Sequence, residues 1–340
     1  MSGSVTEFER SLEEAAAFNG HIYRGETVVQ SAKNSGRQSP ISAVATLLSE
    51  ENEISVSHRP SGSILKEAAA TLRELYGDKL DAVVVERLVV GVFFVGVKLS
   101  NGCGGVAYMP PELIRSTGSR ILKGSMPTIR GMRAAALMDG GIRSPFGDVI
   151  MMAALNALSV PFMKIDRYCV DTIGELSGLP SLFINRRVCI VGAITPLLKR
   201  LKVLGAAEVS IIDRKKETLV DAGYGTFVPP ERTAETLARC ETAVFTGAAI
   251  ANGTIEHLIS LVPETAAIAV VGATAAFVPQ PLFRRNVALV ETDVVTNSDL
   301  ALEIVAEGGG GRRLFFGRGV SKINLLNVER LRQLGLDSTS

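Results

Sequence analysis

Tryptophan is absent from this chain of 340 residues, histidine occurs three times and cysteine four times, and each scarcity closes off a class of chemistry. His21, His58 and His257 are too scattered to spell a metal-ligand motif or a histidine-based catalytic set. Cys103, Cys169, Cys189 and Cys240 never form a C-x-x-C pair, so neither a zinc knuckle nor a redox motif is written here. They read as free thiols packed like small hydrophobes, which implies a reducing compartment. Aromatics make up 5% of the residues, leaving few platforms on which nucleic-acid bases could stack. Thirty-six basic residues against thirty-five acidic ones give net +1, so no global field attracts a polyanion or an anionic membrane. The longest apolar runs, such as Leu88 to Val97, stop well short of the roughly 20 residues that span a bilayer. The opening MSGSVTEFERSLEEAAAF carries acidic residues where a signal peptide needs a basic start. A cytoplasmic protein with neither nucleic acid nor membrane as partner is the expectation.

What is present fits a globular α/β protein, with 46% hydrophobic and 21% charged residues in a chain long enough for two domains. Residues 1–60 read as a partly flexible appendage: one amphipathic stretch, Phe8 to Phe18, then the polar passage SAKNSGRQSP, which cannot bury enough surface to offset chain entropy. Residues 61–143 read as a small α+β domain. In it Ile64, Leu65, Ala68, Ala69, Leu72 and Leu75 share one helical face between a capping Ser63 and a terminating Gly77. Strand-like runs follow at Asp81 to Glu86, Val89 to Leu99 and Gly104 to Tyr108, the last two joined by the turn Ser100-Asn101-Gly102. Residues 144–330 read as a Rossmann-like domain, and 331–340 as a tail. Ser144-Pro145 starts a nearly all-apolar helix, Phe146 to Leu158, whose polar Asn156 must find hydrogen-bond partners or line a pocket. From Asn185, apolar strands alternate with helices, which predicts a doubly wound parallel sheet covered on both faces.

In such sheets ligands bind beyond the carboxyl ends of the strands. Those ends read Gly192-Ala193-Ile194-Thr195, Asp213-Arg214, Thr246-Gly247-Ala248, Gly272-Ala273-Thr274 and Thr292-Asp293, and their small residues let a ligand approach the backbone. Gly192 and Asp213 stand where a dinucleotide-binding fold places its first glycine and its ribose-binding acid. The glycine fingerprint itself fails, because GAITPL puts Ile194 and Leu197 where the second and third glycines belong. Asp213 could equally pair with Arg214 and Lys215. Thr246-Gly247 and the turn Asn252-Gly253-Thr254 offer donors at positive helix ends, for an anion or for plain capping. The run Gly308 to Gly311 terminates a helix, and Leu314 to Gly317 reads as a strand.

Taken together, GVFFVGVKLSNGCGGVAY, FGDVIMMAALNALS, RVCIVGAITPLL, CETAVFTGAAIANGTIEHLISL, VVGATAAFVPQPLF and VAEGGGGRRLFFGRGVSKINL give the chain, from about Ser63 to Leu325, a likeness: it resembles the putative heavy-metal chelation family, domain of unknown function 364. The resemblance implies an enolase N-terminal-like domain joined to a Rossmann-like domain, with a ligand in the cleft between them. On matching positions, Gly91, Gly105, Asn156, Gly192, Thr246, Gly272 and Asn297 would face or support that cleft. The chain departs from its relatives where His-Phe-Pro becomes Ala193-Ile194-Thr195, where Gly-Pro-x-Thr-Pro becomes Gly272-Ala273-Thr274-Ala275-Ala276, and at Val95 in place of Thr or Ser. These changes make the pocket more apolar.

The reading that results is binding or processing of a small anionic, metal-chelating ligand in that cleft, with any metal carried by the ligand rather than by protein side chains. Asn156, Gly192, Ala193, Thr195, Asp213, Thr246, Gly247, Asn252, Gly272, Thr274 and Asn297 are its candidate binding residues. A nucleotide- or S-adenosylmethionine-dependent transferase or reductase, and a non-catalytic interaction partner, remain as alternatives, and a homo-oligomer stays open.

Overall fold

The computed structural model describes residues 63–115, 128–140, 142, 144–163, 169–171, 180–214 and 222–336. The appendage expected at 1–60 lies outside them. Helix α1 (Ser63–Tyr76) buries Ile64, Leu65, Ala68 and Leu72, the predicted stripe, and the chain leaves it through Gly77 at φ +51°. There follows a three-stranded antiparallel sheet of β1 (Val85–Val90), β2 (Phe94–Leu99) and β3 (Gly104–Tyr108). The apolar run Val89 to Leu99 is therefore two strands and not one. Gly91 N–H bonds back to Phe94 O at 2.9 Å and closes a turn that continuous hydrophobicity had hidden. Asp81 and Ala82, expected as strand, end a 3₁₀ turn over Gly77–Ala82.

Helix α2 (Gly147–Ser159) has every residue buried but Asp148. Ser144 and Pro145, expected as cap and first turn, lie before the helix: its N-cap is Phe146, which has no side-chain cap, and Ser144 Oγ accepts from Phe146 N–H at 3.1 Å in the turn that leads in. β3 lies so close to α2 that a Cβ on Gly105 would stand 2.2 Å from Ala153 O and 2.3 Å from Ala157 N. Only glycine permits that approach.

The second sheet is built of β4 (Cys169–Asp171), β5 (Arg187–Val191), β6 (Glu208–Ile212), β7 (Thr226–Val228), β8 (Thr242–Thr246), β9 (Ala267–Val271), β10 (Val287–Val295) and β11 (Val320–Leu326). Its order is β4-β11-β10-β9-β8-β5-β6-β7, parallel from β10 to β7, with β11 and β4 added antiparallel at one edge. Counting β5 as the first parallel strand, the sequence across the sheet is 3-2-1-4-5-6, the doubly wound Rossmann order. Alternate residues face opposite ways. Cys189, Phe245, Val270 and Val290 join the core shared with α1, α2 and the small sheet, while Ile190, Val244, Ala269 and Leu289 join a second core. Helix α3 (Thr195–Leu204) covers the second core through Leu197, Leu198 and Leu201, and ends at Gly205 in the left-handed region. Helices α4 (Gly247–Ala251), α5 (Ile255–Ser260), α6 (Ser298–Ala306) and α7 (Val328–Gln333) complete the connections used below. Leu314 to Phe316, read as strand, belongs to a short helix over Gly311–Phe316, because the glycine run ends one helix and starts another. Leu331 and Leu336, in and beyond α7, are buried in the second core. No helix among the described residues is long and apolar enough to cross a membrane.

Candidate ligand site at the strand tips

The strand order reverses between β5 and β8, and Gly192 and Thr246 stand against each other at the carboxyl ends of these two strands. Gly192 has φ +95°, and a Cβ there would lie 2.6 Å from Thr246 Oγ1, so the position needs glycine for both conformation and room. Thr246 is 5% exposed, and its hydroxyl takes part in no hydrogen bond among the described residues. Beside them, Ala193 N–H donates to Asp213 Oδ2 at 2.9 Å. Asp213 thus reaches back to the β5–α3 turn. Thr195 is the first residue of α3, half-buried, behind an exposed Ile194 whose side chain cannot cap.

Around β9 the tips are packed. Gly272 has φ +118°, and a Cβ on Gly247 would meet Thr274 Cβ at 3.1 Å. Thr274, 1% exposed, accepts from Tyr108 N–H through Oγ1 at 3.0 Å. Asn156 Nδ2 donates to Val106 O at 2.7 Å and to Ala273 O at 3.0 Å. Asn156 and Thr274 therefore tie β3 of the small sheet to the turn after β9. The structure gathers Asn156, Gly192, Ala193, Asp213, Thr246, Gly247, Gly272 and Thr274 around the tips of β5, β6, β8 and β9, with Gly192, Ala193 and Asp213 on the half-open side. Asn252 closes the carboxyl end of α4. Asn297, beyond the end of β10, caps α6 by accepting from Leu300 N–H at 3.1 Å. Thr254, expected as a cap, bonds Ala249 O instead.

Two residues missed in the sequence, Tyr108 and Glu112, belong to the same rim. Arg214 pairs with Glu112 at 3.1 Å, and Tyr108 sits near Glu112 and Asp213. Burial first, then those two carboxylates, push the Tyr108 phenol above its ordinary range. Further along the sheet, Lys322 of β11 lies 3.5 Å from Glu291 and 3.2 Å from Asp293 of β10. The charged letters inside ALVETDVV and VSKINLL were the available signal. A separate hollow of about 870 Å³, lined by Arg187, Glu208, Thr226 and Arg239 among others, opens at the opposite, amino-terminal edge of β5 to β7.

Among the described residues no group of three or more His, Cys, Asp or Glu side chains could hold a metal ion. The donors among these described residues do not fit a resident heavy metal.

Comparison with known proteins gives three results. Residues 179–324 match the family model of domain of unknown function 364, and residues 73–159 that of domain of unknown function 4213, both described as Putative heavy-metal chelation. Among solved structures, a protein of unknown function of the first family from Pyrococcus horikoshii aligns at 18% identity with TM-score 0.59, covering 77% of this chain and 99% of its own. One of the same family from Desulfitobacterium hafniense aligns at 17% identity with TM-score 0.53, covering 76% and 99%. Both likenesses concern the fold. No curated protein matches the chain.

Proposed function

We propose that this chain, two stretches of which match family models described as Putative heavy-metal chelation, binds a small anionic chelating ligand at the strand tips between β5 and β8. The observation that carries the reading is Thr246. The residue is buried and its hydroxyl takes part in no hydrogen bond among the described residues, next to Gly192, where a Cβ would stand 2.6 Å from that oxygen. A ligand oxygen or nitrogen at the strand tips would give that hydroxyl a hydrogen bond, a net contribution of about 0.5–1.5 kcal/mol. The amino end of the ten-residue α3 supplies positive potential for an anionic group. The metal travels with the ligand as cargo. Cys103, Cys189 and Cys240 are free thiols, which supports a cytoplasmic setting for this binding.

Titration calorimetry with citrate, free and loaded with Ni(II) or Fe(III), tests the reading. Binding of the loaded form that Gly192→Val abolishes is the expected result; heat from neither form counts against it.

A further inference from the structure

At the amino ends of β9 and β10, the edge of the sheet opposite the strand tips, lies a hollow of about 320 Å³ whose lining includes Arg284, Asn286, Glu329, Arg330 and Gln333. β9 is five residues long, so roughly 15 Å of strand separates this hollow from the end where Gly272 stands. Its volume suits a small ion or a compact head group rather than an extended cofactor.

Arg330 of α7 is 8% exposed, and its side chain makes three hydrogen bonds. Nη1 donates to Gln333 Oε1 at 3.4 Å, and Nη2 donates to Ala266 O at 3.2 Å and to Glu264 O. All three acceptors are neutral amide oxygens. They pin α7 to the turn before β9 but supply no counter-charge. Among the described residues Arg330 forms no ion pair, and its Nε has no hydrogen-bond partner. Burial pushes this guanidinium below the ordinary arginine range, opposed only by the exposed carboxylate of Glu264 acting at a distance. A cation taken almost wholly out of water without an ionic partner is costly. A fold that needed only a clasp there could use a neutral amide. Asn327, at the start of the same helix, does so by donating to Phe283 O and Val287 O.

The rest of the lining adds to the positive sign. Arg284 meets Glu67 at 2.7 Å, but Arg285 shares that carboxylate at 2.6 Å. Glu329, the acid of the lining, is engaged by Arg332 at 3.1 Å.

We propose that this hollow is an anion site, separate from the strand tips, that takes a phosphate or carboxylate group against Arg330 and Arg284. Guanidinium groups suit both kinds of oxyanion through their planar, multiply donating geometry. The anion supplies the counter-charge that Arg330 lacks within the fold. Arg284, on the exposed side, draws it in, and the exposed amide of Asn286 offers a neutral donor. The site goes beyond the proposed function and does not depend on it.

Calorimetry on the full chain with inorganic phosphate and with succinate tests the proposal, and whichever binds identifies the head group. Gln333→Glu puts a carboxylate where an amide oxygen now meets Arg330, and is expected to weaken that probe about tenfold. Glu329→Gln removes the acid of the lining and is expected to tighten it. Both residues are exposed, so neither change opens the core, and effects of opposite sign separate charge from loss of structure. Gly192→Val is expected to bind the probe as the wild type does. Heat from neither probe overturns the proposal. So does binding that Gln333→Glu and Glu329→Gln leave unchanged, and so does binding that Gly192→Val abolishes, which would put the anion at the strand tips.

Discussion

Asp213 Oδ2 accepts the backbone N–H of Ala193 at 2.9 Å, so the acid that stands where a dinucleotide-binding fold reaches for a ribose has one oxygen bonded to the neighbouring β5–α3 turn. The bond fixes the β5–α3 connection, which lacks the glycines that would admit a pyrophosphate. NAD, NADP and S-adenosylmethionine are accordingly expected to leave the unfolding temperature unchanged. A rise of several degrees with any one of them would restore the nucleotide-dependent alternative.

Asn156 joins the two sheets, since one side-chain amide donates to Val106 O in β3 and to Ala273 O after β9. Asn156→Leu leaves both carbonyls without that donor, at about 1–3 kcal/mol each. Asn156→Asp should be worse, because a carboxylate would face two carbonyl oxygens. Urea unfolding followed by far-ultraviolet circular dichroism measures both. Wild-type midpoints would show that the clasp contributes nothing.

Glu67 on α1 meets Arg285 at 2.6 Å and Arg284 at 2.7 Å. Hydrogen bonds from Arg285 first and Arg284 second hold its carboxyl at about 2, below the ordinary 4.5. A lowered acid stabilises the fold fully above 4.5 and loses that contribution as pH falls toward 2. Glu67→Gln should therefore lower stability at neutral pH and flatten its decline through that acid window. A variant that declines as steeply as the wild type would remove Glu67 from the account.

Gly105 is the tightest backbone approach between β3 and α2. A methyl group there collides with Ala153 O and Ala157 N, which are backbone atoms and cannot swing aside. Gly105→Ala is expected to cost about 3 kcal/mol or more, or to prevent folding. At Gly77 a methyl group would meet nothing within 4 Å, but φ is +51°, so Gly77→Ala should cost only about 1 kcal/mol. Equal midpoints for the two variants would contradict the packing argument.

The doubly wound class was legible because β5, β6, β8, β9 and β10 are short apolar runs bounded by turn residues, and local composition reports that directly. β4 and β7, three residues each, are too short to produce such a signal. The split of Val89 to Leu99 escaped notice because Gly91, Val92 and Phe93 continue the apolar composition while the backbone turns. Among site residues, the small ones at the tips were visible from the fold rule. Tyr108 and Glu112 were not, since they come from the other sheet, beyond reach of any local pattern.

Local sequence determined which segments become strands and helices, and that the first parallel strand ends in a glycine turn without a nucleotide fingerprint, because these depend on dihedral preferences and on the spacing of apolar residues. Tertiary structure alone decided that Asp213 bonds the neighbouring β5–α3 turn, that Asn156 ties β3 to the β9 tip, and that Glu291, Asp293 and Lys322 share one buried row. Those facts depend on strand register and on partners distant in the chain, which no window of neighbouring residues contains.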